Sequence, residues 1–268
     1  CAPHSYGRPI LGWENSLRNM NPGGMRSYHH RRYQGANCCL SVAGALEEGL
    51  ISHVLSSPLA ALDQRMDSDQ DTSTKPSLSF QSGRECRRFA RLEAARLMMV
   101  WPVAAADDQL AIAGADLATT ILAEGRRSRL VQKLREELQI VESIDMDVTT
   151  LEQGSLVMLE ACCPDDQIER VEREIHQQLN SSLTTAISDE EFHRAMQLVG
   201  NGHRFSLEAP GAVAASAGSQ TLWGRHRDLL APLQDLMHWN GSRLRERVMP
   251  LLQPQHSFTL IARSEDNA

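Results

Sequence analysis

Histidines and nearby carboxylates are the residues through which this sequence could bind a metal ion. His29 and His30 are adjacent within a helix-like segment, so their side chains point about 100° apart and cannot share one metal as a pair four residues apart does. Glu190 and His193 are three residues apart, which places them on one helix face, but no third ligand accompanies them. The sequence therefore favours ordinary polar helix positions at these residues over a metal site.

Nucleophilic chemistry has two candidate centres. Cys38 could pair with His29 or His30 as a thiol and an imidazole, although a buried strand cysteine beside Cys39 is the more ordinary interpretation. Ser128 lacks the Gly-x-Ser-x-Gly context of a serine hydrolase. Neither centre indicates a hydrolase of the serine or cysteine type.

Two further clusters could bind an anionic group. Arg126, Arg127 and Arg129 could do so directly, but the glutamates that follow them in sequence favour ion pairs or a solvated loop. Gly200 and Gly202 interrupt a helical segment, which more often permits a bend or close helix packing than phosphate binding. Both clusters therefore have a structural interpretation that is favoured over a binding site.

Residues 122–163 change from helical to strand periodicity. Apolar residues recur at three- and four-residue spacing over 129–138, which predicts a helix. Apolar and polar residues alternate over 140–148, as in a half-buried strand, and a turn at 152–154 leads to a more apolar strand over 156–163. The stretch is predicted to be a helix that feeds a hairpin.

The rest of the chain supplies the elements around this hairpin. In chain order, the predicted segments are a helix at 25–32 capped by Asn21, a strand at 37–44, a helix at 47–62, strands at 85–92 and 96–103, a helix at 109–122, helices opened by Asp165 and by the capping box Ser188–Glu191, helices at 210–222, 229–239 and 242–251, and a strand at 257–263. After residue 83 this order predicts an α+β fold, with a mostly antiparallel sheet and helices packed on one face.

Composition narrows the class of protein. The chain has 268 residues, 41% of them hydrophobic and only 4% aromatic, so its core must be aliphatic. A net charge of −7 argues against nucleic-acid binding, and no apolar run reaches the length of a membrane span. The six cysteines include no Cys-x-x-Cys pair, which is typical of buried thiols in a reducing compartment, and we expect a cytoplasmic protein.

Two ordered motifs resemble one protein family. Gly125–Leu130 (GRRSRL) followed by Leu134–Leu138 (LREEL) is similar to the second domain of the insulinase/pitrilysin family of zinc metallopeptidases, which includes the mitochondrial processing peptidases. Far upstream, His4–Gly12 (HSYGRPILG) followed by Tyr28–Tyr33 (YHHRRY) resembles the second half of that family's first, metal-carrying domain. The resemblance covers nearly the whole chain in the right order.

This resemblance implies a domain organisation. Residues 1–66 would be the carboxy-terminal part of a metal-domain-like α/β unit whose beginning is missing. Residues 67–82, rich in Asp, Ser, Thr and Pro, would be a linker. Residues 83–268 would be a second, inactive-type peptidase-like domain.

The same resemblance implies that zinc is bound elsewhere. The family's His-x-x-Glu-His helix is absent from this sequence and would lie upstream of Cys1. We therefore expect no catalytic residue, metal ligand or cofactor in this chain. Zinc would be held by the missing upstream part or by a partner subunit.

Substrate contacts are the role that remains. In the family, an Arg in the LREEL helix and a Tyr seven residues later can contact the peptide backbone, and these positions are Arg135 and Glu142 here. An ionised Glu accepts hydrogen bonds but cannot donate them, so it could not replace the Tyr. By strand alternation Glu142 also falls on the apolar face, where Arg135 could neutralise it as an internal ion pair. Substrate contact and a structural ion pair both remain open at this point.

Three hypotheses follow for the function. The first is the substrate-chamber part of a zinc peptidase, inactive alone and completed by an upstream catalytic half. The second is a non-catalytic scaffold or peptide-binding subunit that partners a separate zinc-bearing subunit, with a dimer as one possible assembly. The third is an unrelated α+β interaction domain. The expected ligand is a peptide, with no nucleic acid or membrane partner.

Overall fold

The computed structural model describes residues 4–63 and 78–265. Most of the predicted linker at 67–82 falls outside the described residues, so the predicted domain limits stay a prediction. The chain divides into two compact units. The first unit comprises residues 1–79 and 204–229, and the second comprises 80–203 and 230–268.

The elements follow the predicted order closely. The helices are α1 (Glu14–Arg18), α2 (Pro22–Arg32), α3 (Leu50–Ser56), α4 (Ala60–Asp63), α5 (Gln109–Ala123), a π-helix (Val131–Glu137), α6 (Ile168–Ser181), α7 (Asp189–Ser206), α8 (Pro210–Leu222), α9 (Ala231–Leu236) and α10 (Gly241–Arg247). The strands are β1 (Gly83–Phe89), β2 (Ala95–Val103), β3 (Ser143–Thr149), β4 (Ser155–Cys163) and β5 (Phe258–Ser264). Within the described residues no helix is long and apolar enough to cross a lipid bilayer.

One five-stranded sheet organises the second unit. Its strand order is β1-β5-β2-β4-β3. Only the β1–β5 pair is parallel, and the other three neighbouring pairs are antiparallel. This mixed, mostly antiparallel sheet with helices packed against it confirms the predicted α+β fold class.

The core lies between one face of this sheet and the helices α5 and α6. Alternate strand residues are buried on that face, namely Ala95, Leu97, Met99, Trp101, Ile144, Met146, Val157, Leu159, Ala161 and Ile261. The helix α6 contributes the predicted stripe of Ile168, Val171, Ile175 and Leu179, none of which is exposed. The ring of Trp239 packs directly on Gly114 of α5. A Cβ at this position would lie 2.3 Å from that ring, so no larger residue fits here. The hydrophobic effect over this face is the main stabilising contribution to the second unit.

The first unit differs from its prediction. The predicted strand at 37–44 does not form, because a 3-10 turn at Gly35–Asn37 is followed by irregular chain in which Cys38 and Cys39 are exposed. The predicted helix at 47–62 is two short helices, α3 and α4, separated at Pro58. A run of apolar residues indicated burial at these positions, but strand formation needs a neighbouring strand that the described residues of this unit do not supply.

Candidate functional site

A π-helix and the hairpin that follows it form the region that the GRRSRL and LREEL motif singles out. Gly125 has φ of +78°, which favours glycine, and its carbonyl accepts hydrogen bonds from the N–H of Ser128 at 3.0 Å and its hydroxyl at 2.7 Å. The helix is wider than the predicted α-helix. It ends at Glu137, and two residues later Gln139 has φ of +53° where the chain turns towards β3. Wide helix turns of this kind are frequent at functional sites.

The arginines at the start of this region are paired with glutamates. Arg126 contacts Glu136 at 2.6 Å and Arg127 contacts Glu190 at 3.0 Å. Arg129 donates two hydrogen bonds to Glu191, the shorter at 2.6 Å, and a third to the carbonyl of Ala186. Of the two interpretations of this cluster, ion pairing describes the structure.

The capping box of α7 is tied into the same network. The amide of Ser188 donates to Glu191 at 2.9 Å, and the amide of Glu191 donates to the Ser188 hydroxyl at 3.2 Å, as predicted. Burial alone would raise the pKa of Glu191, but hydrogen bonds from Arg129 and Ser188 outweigh it and hold that pKa below its usual value. Arg129 therefore joins the start of the π-helix to the start of α7.

The two predicted substrate residues lie at the surface. Arg135 is exposed on the π-helix, and Glu142 is exposed just before β3. Glu142 accepts a long hydrogen bond from the thiol of Cys162 at 3.7 Å. No ion pair joins Arg135 to Glu142, although both residues are described. Of the two alternatives that the sequence left open, the internal ion pair does not form.

The strand alternation misplaced Glu142 because β3 begins later than the sequence pattern indicated. The sequence pattern placed Glu142 in one alternating series with Ile140 and Ile144, but β3 starts only at Ser143. Ile140 and Val141 are both buried, so the alternation does not extend back to Glu142. The chain bends at Glu142 itself, immediately before β3, and the carboxylate lies in solvent.

Arg135→Ala should leave the fold intact, because the exposed guanidinium makes no hydrogen bond or ion pair within the described residues. We expect a melting temperature within about 1–2 °C of the wild type, as for other surface substitutions. Differential scanning calorimetry provides the measurement. A fall of several degrees would show that Arg135 stabilises the native state after all.

The remaining chemical candidates do not converge on a site. His29 stacks on Tyr33 with ring centroids 4.4 Å apart, and the imidazole Nδ1 of His193 is 2.6 Å from the carbonyl of Asp189. Burial raises the pKa of the Cys163 thiol to about 12, so it is no nucleophile at neutral pH. Cys86 is exposed, as are Cys38 and Cys39, which corrects the prediction that the cysteines are buried core residues.

A cleft that the sequence analysis missed runs between α5 and β3. It has a volume of about 450 Å³, and Asp116, Glu124, Asp145 and Asp147 bring four carboxylates to its walls. Asp145 and Asp147 occupy alternate positions of β3, a pattern that predicted only a solvent-exposed strand face. Asp116 carried a signal, since it is a charged residue between apolar positions of a helix that is otherwise largely buried.

Asp116 is the carboxylate of this cleft whose ionisation is most affected by packing. Burial raises its pKa, the charge of Glu124 raises it further, and His203 opposes the rise. When the pKa of a carboxyl is higher in the folded than in the unfolded state, the folded protein loses stability as pH rises through the interval between the two pKa values. The ionised form of Asp116 therefore costs stability at neutral pH.

Asp116→Asn should raise the melting temperature at pH 7, because asparagine removes the buried negative charge while keeping the shape. The advantage should disappear below about pH 4, where aspartate is protonated even in the unfolded chain. Thermal melts between pH 3 and pH 8 would measure this, with the exposed Glu93→Gln as control. A variant that is less stable than the wild type at pH 7 would contradict the assignment.

The described residues do not fit a zinc ion. Across 4–63 and 78–265, no group of three or more His, Cys, Asp or Glu side chains is arranged to hold a metal. The four carboxylates of the cleft are included in that statement. No catalytic step can be derived through a metal from the side chains of this part of the chain.

Comparison with known sequences identifies the family. Residues 19–199 match the sequence model of the Peptidase M16 inactive domain. The chain belongs to this family, as its two motifs indicated. A curated relative is the uncharacterized zinc protease YmxG of Bacillus subtilis (strain 168), 21% identical over 270 residues. That match covers 97% of this chain but only 62% of the Bacillus protein.

Solved structures share the fold. A peptidase M16 inactive domain from Pseudomonas fluorescens superposes with a TM-score of 0.80 at 12% identity, covering 97% of this chain and 61% of that one. A chain of complex III2 from Candida albicans gives a TM-score of 0.79 at 16% identity, covering 100% of this chain and 65% of that one. These similarities confirm the α+β peptidase-like architecture.

Proposed function

We propose that this chain is the substrate-chamber half of a zinc-dependent peptidase and that it acts only when joined to a zinc-bearing half. The chain would form a wall of the chamber and hold the peptide, while the metal and its activated water would come from the other half. Membership of the inactive-domain family and similarity to a protein described as a zinc protease support this function.

The exposed apolar surface of the first unit is the observation that carries the proposal. Ile10 is 103% exposed, Ile51 is 76% exposed and Leu55 is 65% exposed. Among the described residues of this unit only His4 and Gln34 are buried, so these residues form no apolar core of their own. Exposed apolar patches are typical of interfaces, and we assign these residues to one. We propose that the zinc-bearing half covers it.

Arg135 and Glu142 are proposed as contacts to the bound peptide. Arg135 is exposed and presents guanidinium donors that suit peptide carbonyls, and Glu142 is exposed and suits peptide N–H donors. Peptide affinity of Arg135→Ala, measured on the assembled protein, tests this role separately from the stability of the fold. Unchanged affinity would remove Arg135 from the site.

A second candidate function is a scaffold or peptide-binding subunit whose zinc-bearing partner is a separate chain. The similarity to a chain of a structure described as a complex, complex III2, favours this alternative.

The described cysteines are all free thiols, which supports a reducing compartment, and we propose a cytoplasmic location.

Co-expression tests the leading proposal. The chain should be produced with a His-x-x-Glu-His-bearing polypeptide encoded either by the same gene or by another gene of the same genome. We expect co-elution in size-exclusion chromatography and chelator-sensitive cleavage of a fluorogenic peptide by the complex but by neither part alone. The gene that supplies the active partner decides between the two candidates. Failure to form a complex with any such polypeptide would contradict both.

A further inference from the structure

We propose that β1 pairs with β1 of a second copy of this chain, antiparallel and centred on Cys86, so that two sheets join across a two-fold axis. The inference goes beyond the proposed function and does not depend on it. The described residues support it by an open strand edge, by opposite charges that one register brings together, by a glycine that would face a phenylalanine, and by a carboxylate beside the new strand.

The outer edge of β1 is open. Among residues 4–63 and 78–265, β1 lies at one end of the strand order, pairs only with β5, and has extended contacts with no other helix or strand. Six of its seven residues are exposed. Such an edge presents unpaired N–H and C=O groups, which a strand of another chain can bind.

The hydrogen bonds to β5 show which main-chain groups of β1 point outward. The amide of Gly83 donates to the carbonyl of Ser257 at 3.1 Å, and the carbonyl of Phe89 accepts from the amide of Glu265 at 3.3 Å. Because the main-chain groups of successive strand residues point to alternate sides, odd-numbered residues bond to β5 and even-numbered residues face the open edge. These outward residues are Arg84, Cys86 and Arg88. They would be the hydrogen-bonded positions of an antiparallel pair.

Charge selects the register. A two-fold axis at Cys86 places Glu85 of each copy directly opposite Arg87 of the other. An axis at Glu85 would instead oppose two glutamates, and an axis at Arg87 would oppose two arginines, which destabilises a strand pair. Within one copy, the Nε of Arg87 already lies 2.8 Å from a carboxylate oxygen of Glu85. Pairing of the copies would extend this contact into a network of two arginines and two glutamates.

The two ends of β1 are complementary in shape in the same register. Gly83 would lie opposite Phe89 of the second copy, and a Cβ at Gly83 would be only 3.5 Å from the ring of Phe258. Phe89 is 44% exposed. In the pair, its ring would cover Gly83 of the other copy and pack against Phe258. An aromatic residue opposite an edge glycine stabilises a sheet in this way.

A carboxylate on α6 balances the one pair of like charges in this register, which is Arg84 opposite Arg88 of the second copy. Arg84 donates two hydrogen bonds to Glu172, at 2.8 and 2.9 Å. Arg88 bonds to a neutral acceptor, the carbonyl of Ser264, at 3.2 Å. Because an ionised carboxylate can accept about four hydrogen bonds, Glu172 would bind Arg88 of the second copy as well as Arg84.

Charge-reversed variants of the full chain test the proposal by sedimentation velocity. We expect the wild type to show a concentration-dependent equilibrium between monomer and dimer. Glu85→Arg alone and Arg87→Glu alone should each weaken self-association by about tenfold or more, because each puts like charges opposite one another across the axis. Both side chains are about half exposed, at 43% and 58%, so the fold should be retained.

Mixing the two variants is the decisive measurement. Every arginine of the Glu85→Arg chain would then face a glutamate of the Arg87→Glu chain, so association should return to near the wild-type level. Within each variant chain, positions 85 and 87 still carry like charges. A change inside one chain therefore cannot explain this rescue.

Cross-linking at Cys86 locates the interface. Opposite hydrogen-bonded residues of an antiparallel pair have Cα atoms about 5.5 Å apart, so a short bis-maleimide should join Cys86 of two copies. The chain used carries Cys1→Ser, Cys38→Ser and Cys39→Ser, which leaves Cys86 as the exposed thiol of the described residues. Cys86→Ser in the same background is the control and should associate without cross-linking.

Several results would overturn the proposal. One is a wild-type chain that stays monomeric at its highest soluble concentration. Another is self-association that neither single variant weakens, which is expected if the apolar surface of the first unit joins the copies instead. The others are no rescue on mixing and no cross-link through Cys86. None of these results bears on the co-expression test, so the two proposals can fail separately.

Discussion

Replacing Trp101 by alanine should lower the free energy of unfolding by about 3–5 kcal/mol, the range for a buried large-to-small change. Trp101 is completely buried in β2, at the centre of the sheet. Its indole N–H donates to the carbonyl of Gln253 at 2.9 Å. The substitution would leave a cavity and break this link between the sheet and the segment that leads into β5. Urea denaturation followed by circular dichroism measures the change.

Trp101→Phe is the matched control, because it keeps most of the ring and removes the indole donor. Its expected cost is about 1–2 kcal/mol, the range for a lost hydrogen bond to a buried acceptor. The carbonyl of Gln253 also accepts from the amide of His256 at 3.0 Å, so it keeps one partner. If Trp101→Ala cost no more than Trp101→Phe, the centre of the sheet would not be the core of the second unit.

Arg129→Ala should destabilise the chain by about 2–3 kcal/mol, the range for losing hydrogen bonds to a charged group that stays partly buried. The side chains of Arg129 and Glu191 are only 12% and 24% exposed. Without the guanidinium, the carboxylate of Glu191 would keep its Ser188 contacts but lose its charge partner. Because this pairing lowers the pKa of Glu191, its contribution is present at neutral pH and is lost as pH falls through the folded-state pKa.

Arg126→Ala controls for the loss of one arginine from the same loop. The Arg126 side chain is 81% exposed and pairs with Glu136 in solvent, so its removal should change stability little. Arg129→Lys should recover only part of the loss, since an ammonium cannot make the two parallel hydrogen bonds. Guanidinium denaturation at pH 7 and pH 4 compares the three variants. An equal effect of Arg126→Ala and Arg129→Ala would show that burial of the Arg129 pair has no consequence.

Local sequence patterns predicted most of the second unit. The stripe of α6, the capping box at Ser188 and the hairpin of β3 and β4 each depend on spacing within a few residues. Such patterns report which side of an element is buried and where a helix begins. The order of these elements then sufficed for the fold class.

The predictions that failed concern features set by contacts between residues that are distant in sequence. A strand at 37–44 needed a neighbouring strand, and the described residues of its unit supply none. The position of Glu142 depended on a bend of the chain just before β3, which the pairing of β3 with β4 sets and no local pattern signals. The cleft joins residues of α5 to β3 across more than twenty positions. Only the pairing of these elements in the folded chain brings their carboxylates together.

The candidate substrate residues show the same limit. The family motif located Arg135 and Glu142, but it could not tell whether they contact each other or solvent. Their exposure in the structure removes the internal ion pair and leaves both available to a ligand. Their role in binding therefore stays a prediction that peptide affinity will decide.

The central prediction for this protein is that the chain does not itself carry out metal-dependent cleavage. Metal analysis of the purified chain, combined with a fluorogenic peptide assay before and after chelation, tests this directly. We predict far less than one zinc ion per chain and no chelator-sensitive cleavage. One tightly bound zinc ion per chain, lost on chelation together with robust peptidase activity, would contradict the account.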